Sequence, residues 1–353
     1  MLDIKFIRDN PEAVRRAIEL KRVDLNLDDL LTVDADLNAI KRRREDLQAE
    51  RNRNAKQGGK VPPEERAALI ARGKDLGEQL AAIEPEARDL EARYRALMLK
   101  VPNIPWEGAP IGPDESGNVE TRREGTPRNF SFQPLDHVQL LERNGWADLE
   151  RIAQVSGARS YALRGDLVRY EAALLRFTLD FMDEKGFTLL STPSLAREEA
   201  FIGTGHFPAG RDQVYELCGT DLFLTGTAEV TTNSLHGGEV LSEAQLPLKY
   251  AAYSPCFRAE AGAAGRDTRG LIRVHQFQKV EQYILCRADE QESQKHFTEL
   301  LSNAEAILQA LELPYRTVET CTGDMGTGKV RMVDIETWVP SENRYRETHS
   351  CSA

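Results

Sequence analysis

The feature that most constrains this chain is a long alternation of residues at intervals of three and four. Leu30, Val33, Leu37, Ile40, Arg44, Leu47, Arg51 and Asn54 form one such seam, apolar at its start and polar at its end. A 3,4,3,4 spacing belongs to helices wound on one another. A second seam runs through Leu69, Gly73, Leu76, Leu80, Ile83, Ala87, Leu90, Tyr94, Leu97 and Val101. QGGK (57–60) and the prolines Pro62 and Pro63 separate the two. The spacing predicts an antiparallel hairpin of two helices, each about 45–55 Å long at about 1.5 Å per residue. Pro85 lies inside the second helix but off its seam, so a bend is expected there and not a break.

The composition changes after this hairpin. Residues 27–101 are rich in Ala, Leu, Glu and Arg, whereas 102–134, including PNIPWEGAPIGPDESGN, carry prolines and glycines with no helical period. That segment reads as a linker or extended crossover. From about residue 135, helical patterns such as RYEAALLRFTLDFMDEKG (169–186) mix with the strand-like runs LFLTGTAEV, KYAAYSPCFRAE, IRVHQFQKVEQYIL and VRMVDIETWVP. Most of these strands follow one another without a regular helix between them, which predicts an antiparallel sheet in an α+β domain. The expected organisation is an arm domain over 1–101, a crossover over 102–134 and a second domain over 135–353.

Charge and cysteine usage narrow the class. The net charge is −11, so a polyanion could be held only by a locally basic patch. Such a patch lies toward the hairpin tip, where residues 41–60 hold eight basic residues (Lys41, Arg42, Arg43, Arg44, Arg51, Arg53, Lys56, Lys60) against Glu45, Asp46 and Glu50. It reads either as a solvated helical face or as a grip on a phosphate backbone. The five cysteines are scattered with no CxxC pair, which argues against a disulfide framework or a zinc site. With no apolar leader and no run of about 18 apolar residues, a cytoplasmic protein without a membrane anchor is expected.

The stretch most suggestive of chemistry is FRAEAGAAGRDTRGLIRVHQFQKVE (257–281). With strands over 250–260 and 272–284, the loop 261–271 would join them as a long hairpin. Period two then places Arg258 and Glu260 on one face, and Arg273, His275, Phe277, Lys279 and Glu281 on one face of the second strand. An arginine offers a planar fork to phosphate, a phenylalanine a flat surface to a purine, and a carboxylate a hold on ribose, ammonium or metal. These residues alone fit a nucleotide site and an ordinary surface hairpin equally. GDMGTGKV (323–330) matches GxxxxGK, but Val330 stands where a magnesium-binding Ser/Thr is needed and a strand pattern follows, so it does not read as a P-loop.

The same stretch resembles motif 2 of the class II aminoacyl-tRNA synthetases, and most closely that of the bacterial seryl-tRNA synthetase family. MLDIKFIRDNPEAVRRAIELKR, the basic hairpin, GTGHFPAGRDQVYEL (203–217), LTGTAEV (224–230) and NRYRETHSCS (343–352) also resemble that family, in its order. The resemblance covers essentially the whole chain. It implies a helical tRNA-binding arm followed by a class II core, an antiparallel sheet flanked by helices. It further implies serine activation with ATP and Mg²⁺, then transfer to tRNA(Ser), and to tRNA(Sec) where present.

Site residues carry over position by position. Arg258, Glu260 and Arg273 would be catalytic, with Arg258 at the α-phosphate and the serine carboxylate. Thr227, Ala228, Glu229, Arg258 and Glu281 would bind serine, Glu229 pairing with its ammonium group. Arg258, Ala259, Glu260, Arg273, Val274, Phe277, Glu347, Thr348, His349 and Ser350 would line the ATP site, Phe277 under the adenine, and Glu347 and Ser350 would hold the metal. Arg42, Arg43, Arg44, Arg51, Arg53, Lys56, Arg266 and Arg269 would contact tRNA, with Asp267 beside them. Pro193 matches the motif 1 proline of a homodimer interface.

One departure stands out. The family continues past ETHSCSA into motif 3, so this sequence is expected to be a fragment of a longer enzyme. Two other readings accompany the catalytic one: a catalytically impaired tRNA-binding paralogue, suggested by the absent motif, and a ligase that loads a carrier protein, against which the well-formed arm argues.

Overall fold

A computed structural model describes residues 2–58, 61–262, 265, 267 and 269–353. The chain forms two compact units, Met1–Ile104 and Pro105–Ala353.

The first unit opens with two short helices, α1 (Ile4–Asp9) and α2 (Pro11–Leu20). The Asp3 side chain accepts from the Lys5 amide at 2.7 Å to cap α1. Pro11 occupies the first turn of α2, where its missing N–H costs nothing. The hairpin follows as α3 (Leu27–Gly58) and α4 (Pro63–Met98), which at about 1.5 Å per residue are about 48 and 54 Å long. Helix α4 continues through Pro85. Val33, Leu37 and Ile40 of the first seam are buried against Ile83, Ala87 and Leu90 of the second. Each large aliphatic side chain buried in this way stabilises by roughly 1.5–3 kcal/mol. At the base, Leu30, Met98 and Val101 join Ile7, Val14 and Leu27 in a separate core. Arg8 donates two hydrogen bonds to the Asp34 carboxylate, at 2.6 and 2.7 Å, and ties α1 to the hairpin.

Toward the tip, polar contacts replace the apolar seam. The Asn54 side-chain amide donates to the Leu69 carbonyl at 2.7 Å, and Arg72 pairs with Glu50 at 2.6 Å. Arg51, expected in the seam, is exposed instead. Arg42, Arg43, Arg53 and Lys56 are exposed too, while Arg44 is half-buried, 4.0 Å from Glu84. Lys60 lies outside the described residues.

The second unit begins with β1 (Val119–Glu124), followed by α5 (His137–Asn144), α6 (Leu149–Ser156), α7 (Asp166–Glu184), β2 (Thr188–Ser191), β3 (Leu195–Arg197) and α8 (Glu198–Gly203). It continues with β4 (Leu222–Leu224), α9 (Glu229–Ser234), β5 (Leu248–Phe257), β6 (Gln276–Leu285), α10 (Glu290–Ala310), β7 (Tyr315–Glu319), β8 (Met332–Val339) and β9 (Arg344–Ser352). The strands build a four-stranded sheet in the order β1-β7-β8-β9, a three-stranded sheet β2-β5-β6 and the pair β3-β4. All pairings are antiparallel except β2 with β5. That parallel pair needs a long crossover, supplied by residues 192–247.

Two expectations change here. Residues 102–134 are not simply a linker, because β1 lies within them and pairs with β7 from Val119↔Glu319 to Glu124↔Tyr315. Its sequence, VETRRE, is almost wholly exposed, so this edge strand has no apolar alternation to betray it. The strands around the 257–281 stretch are also shorter toward the loop than expected. Glu260 takes a left-handed φ of 52°, which ends the extended run, and Arg258, Glu260, Arg273 and His275 lie in the connection between β5 and β6.

The four-stranded sheet has two unlike faces. Helix α10 covers one, packing Phe297, Ala304 and Leu308 on Tyr315, Val333, Ile335 and Cys351. The other face presents Arg316, Val318, Asp334, Glu336 and Glu347 to a cavity. Helix α7 packs the remaining layer, with Met182 and Phe187 against Ala251, Val280 and Ile284.

Candidate active site

Strand β6 places Phe277, Lys279 and Glu281 on one face, and the turn 225–228 leading into α9 meets that face. Lys279 donates to the Thr227 hydroxyl at 2.7 Å, Thr227 donates to Glu281 at 2.7 Å, and Lys279 also pairs directly with Glu281. The Glu229 amide donates to the Thr227 oxygen at 3.2 Å, which fixes the start of α9. The expected strand 222–230 therefore stops at Leu224, and TGTAEV is a turn that delivers Thr227 and Glu229 side by side.

Arg258 leaves the end of β5 and extends over the Phe277 ring, its guanidinium carbon 5.1 Å from the centroid. Its Nε donates to the Gly226 carbonyl at 3.4 Å. A Cβ on Gly226 would come within 3.2 Å of both the Arg258 side chain and the Phe257 carbonyl, so the close approach depends on glycine. Arg273 pairs with Glu260 at 2.6 Å. Ala228 and Val274 are buried, and the Ala259 amide donates to the Gln213 carbonyl at 2.9 Å.

The connection between β5 and β6 is pinned at several points. Arg346 donates to both oxygens of Asp267 at 2.7 and 3.0 Å, and the Leu271 amide donates to His137 Nε2 at 3.1 Å. Asp267 is thus committed to the core, whereas Arg269 is exposed, 3.9 Å from Glu142. Arg266 lies outside the described residues.

Strand β9 contributes through an irregularity. Ser350 faces Asp334 and His349 faces Ile335, but Glu347 faces Glu336, so Thr348 is the extra residue of a bulge. Residues three apart on a regular strand point to opposite sides; the bulge brings Glu347 and Ser350 to the same face. Thr348 bonds the Thr337 hydroxyl at 2.7 Å, and His349 lies on the α10 side, where burial pushes its pKa down. His349 therefore departs from the expected ligand-facing position.

The cavity on that face has a volume of about 370 Å³ and is lined by Glu115, Asn118, Glu120, Arg316, Val318, Asp324, Asp334, Glu336 and Glu347. Burial pushes the Asp334 carboxyl up to about 7 against a hydrogen bond from Ser350, and one of its oxygens has no hydrogen-bond partner among the described residues. Glu347 opens to solvent, yet the protein around it raises its pKa; Arg258 and Arg273 oppose that shift, while Glu336 and Asp324 add to it. Carboxylate oxygens such as those of Asp334 and Glu347 suit a hard divalent cation, while Arg316 already pairs with Glu120 and Glu336. No group of three or more His, Cys, Asp or Glu among the described residues could hold an ion unaided.

Lys329 was not anticipated as a site residue. It lies in the segment dismissed as a P-loop, which runs into strand β8 without a helix, and its ammonium group meets Glu229 at 2.9 Å. Burial would raise the Glu229 pKa, but Lys329, followed by His206 and Lys279, outweighs it and holds the carboxyl below its ordinary value.

An arginine over an aromatic ring beside a carboxylate-bearing turn and a bulged acidic strand is the arrangement of a class II aminoacyl-tRNA synthetase core. Residues 215–353 match the family model of the tRNA synthetase class II core domain (G, H, P, S and T), and residues 1–105 match that of the seryl-tRNA synthetase N-terminal domain. The serine–tRNA ligase of Deinococcus radiodurans is 60% identical over 352 residues, covering 100% of this chain and 83% of the relative. Among solved structures, seryl-tRNA synthetase from Pyrococcus horikoshii complexed with ATP superposes with a TM-score of 0.88 at 36% identity, over 99% of this chain and 83% of that one. The cytoplasmic enzyme of Naegleria fowleri in complex with AMP gives 0.85 at 29% identity, over 100% and 83%. The chain belongs to the seryl-tRNA synthetase family.

Proposed function

We propose that this serine–tRNA ligase divides its chemistry among the residues just described, in two steps. Serine arrives with its carboxylate already ionised, so no general base is needed for attack on the α-phosphorus of ATP, and pyrophosphate leaves. Arg258 bridges the two anions and offsets charge as it develops, Phe277 carries the adenine, and Glu260 keeps Arg273 oriented toward the nucleotide. Glu229 and Glu281 take the ammonium group, with Thr227 fixing their separation. Thr348 contributes through its backbone, since its hydroxyl is engaged with Thr337. Glu347 and Ser350 would hold Mg²⁺ together with phosphate oxygens, which supplies charge neutralisation on the triphosphate. A terminal ribose hydroxyl of tRNA then attacks the adenylate carbonyl and AMP departs.

The observation that carries this reading is that Arg258 lies over the Phe277 ring and also donates to the Gly226 carbonyl, next to the Thr227–Glu281–Lys279 cluster. It favours catalysis over a tRNA-binding paralogue, which would have no use for these contacts. The exposed basic residues of the arm would grip the tRNA backbone, with Arg269 near the acceptor end. Tyr170, Leu174 and Phe177, which share a face of α7, are exposed apolar residues that suit burial in a homodimer, as does exposed Pro193. No helix among the described residues is long and apolar enough to cross a membrane. The test is ATP–pyrophosphate exchange with magnesium: exchange should require serine, and its absence at saturating serine would refute the assignment.

A further inference from the structure

The Glu229 carboxylate has a cation within hydrogen-bond distance. Lys329 reaches it from the segment between β7 and β8, at 2.9 Å, with both side chains about a quarter exposed (27% and 24%). That segment is anchored: Met325 is buried, its amide donates to the Cys321 carbonyl at 2.9 Å, and the Lys329 amide donates to the Gly326 carbonyl at 3.0 Å. The side chain has a flexible four-carbon stem ending in a point charge, with no planar fork to lock it in place. An α-ammonium group offers the same charge and the same three N–H donors.

The surroundings make Glu229 dependent on that partner. Neighbouring Glu281 has Thr227 and Lys279 for itself. The groups facing Glu229 from the elements around it are Lys279 and Tyr283 on β6 and His206 after α8. Tyr283 donates to Asn233 at 2.5 Å, and burial pushes its pKa up to about 12, so it stays neutral. His206 is turned toward Thr204 at 2.8 Å, and burial lowers its pKa. Lys329 is the one group among the described residues whose side-chain hydrogen bond to the Glu229 carboxylate accompanies a positive charge.

We propose that Lys329 is an exchangeable counter-ion: it keeps Glu229 ionised and aimed while the site is empty, and yields to the ammonium group of the incoming amino acid. One cation replaces another, so the buried carboxylate is never left uncompensated and the charge of the subsite does not change on binding. The inference rests on the reading of Glu229 as the ammonium-binding residue. It makes Lys329 a positioning residue for the first step, not a group that touches the reacting atoms.

The test is the pH dependence of kcat/KM for serine in pyrophosphate exchange, compared between the parent enzyme and Lys329→Met. Without its counter-ion, Glu229 protonates more readily, so the acid limb should move up by about one pH unit, a loss of about tenfold at the acid end. At the alkaline end KM for serine should equal or fall below the parent value, because no resident cation competes. Lys329→Arg should return the limb toward its parent position, and KM for ATP should not follow the change. If Lys329→Met folds poorly, Lys329→Gln removes the charge with less loss of polarity and should show the same displaced limb. A limb that stays in place, or a KM for serine raised by one factor at every pH, overturns the proposal. Parent enzyme without serine-dependent exchange would instead refute the functional assignment on which it rests.

Discussion

Lys21, at the C-terminal end of α2, shows what burial does to a single charge. It is 6% exposed, and burial lowers its pKa to about 8. An unfolded chain would hold that proton up to about pH 10.4, so the native state carries a cost that is full below about pH 8 and fades as pH rises toward 10.4. Lys21→Met should therefore flatten the rise in stability between about pH 8 and about pH 10.4, as read from thermal melts of the full chain. Arg258→Lys addresses the other use of charge. It keeps the cation but loses the planar fork over Phe277, and serine-dependent exchange should fall by about 10²–10³-fold while the melting temperature stays close to that of the parent; unaltered exchange would remove Arg258 from the proposed machinery. At this scale Arg258, Phe277 and Glu229 were legible as candidates only, through the resemblance of the motifs around them, since spacing alone left a surface hairpin equally open. Lys329 was not, since its partner lies 100 residues away and nothing in GDMGTGKV points to it.

Among the elements, the arm was the most legible and β9 the least. Its heptad seam is a direct record of which side chains meet, and Val33, Leu37, Ile40, Ile83 and Leu90 are buried as that record requires. A bulge leaves no such record. ETHSCS would alternate as any strand does, and only pairing with β8 makes Thr348 the extra residue. Strand β1 escaped for a related reason, since an exposed edge segment of charged residues has no burial pattern to encode. The division of labour between elements can be tested directly. Removing residues 30–98 should suppress tRNA charging while pyrophosphate exchange persists, and equal loss of both would contradict separate roles. A finer test replaces Arg51, Arg53 and Lys56 with Gln. If each neutralises one phosphate, the slope of log affinity for tRNA against log salt should flatten by about 2–3.

For the whole molecule, a net charge of −11 and an exposed basic arm act in opposite senses on a polyanion. Repulsion from most of the surface and attraction at the arm would orient an approaching tRNA before contact, an effect that salt should weaken. Assembly is the other property at this scale. Tyr170→Glu with Leu174→Glu should convert a dimer to monomer in light scattering, and a molecular mass unchanged by both substitutions would place the interface elsewhere. The arm itself has a mechanical consequence. Its base is clamped by a packed apolar seam and the Arg8–Asp34 pair, while contacts beyond Leu47 are mostly polar. Over about 48 Å of helix, a tilt of about 0.1 radian at the clamp sweeps the tip through about 5 Å. A small rotation at the root is thus multiplied by the length of the helices, so the packing of a few aliphatic side chains at the base sets how finely the far end is aimed.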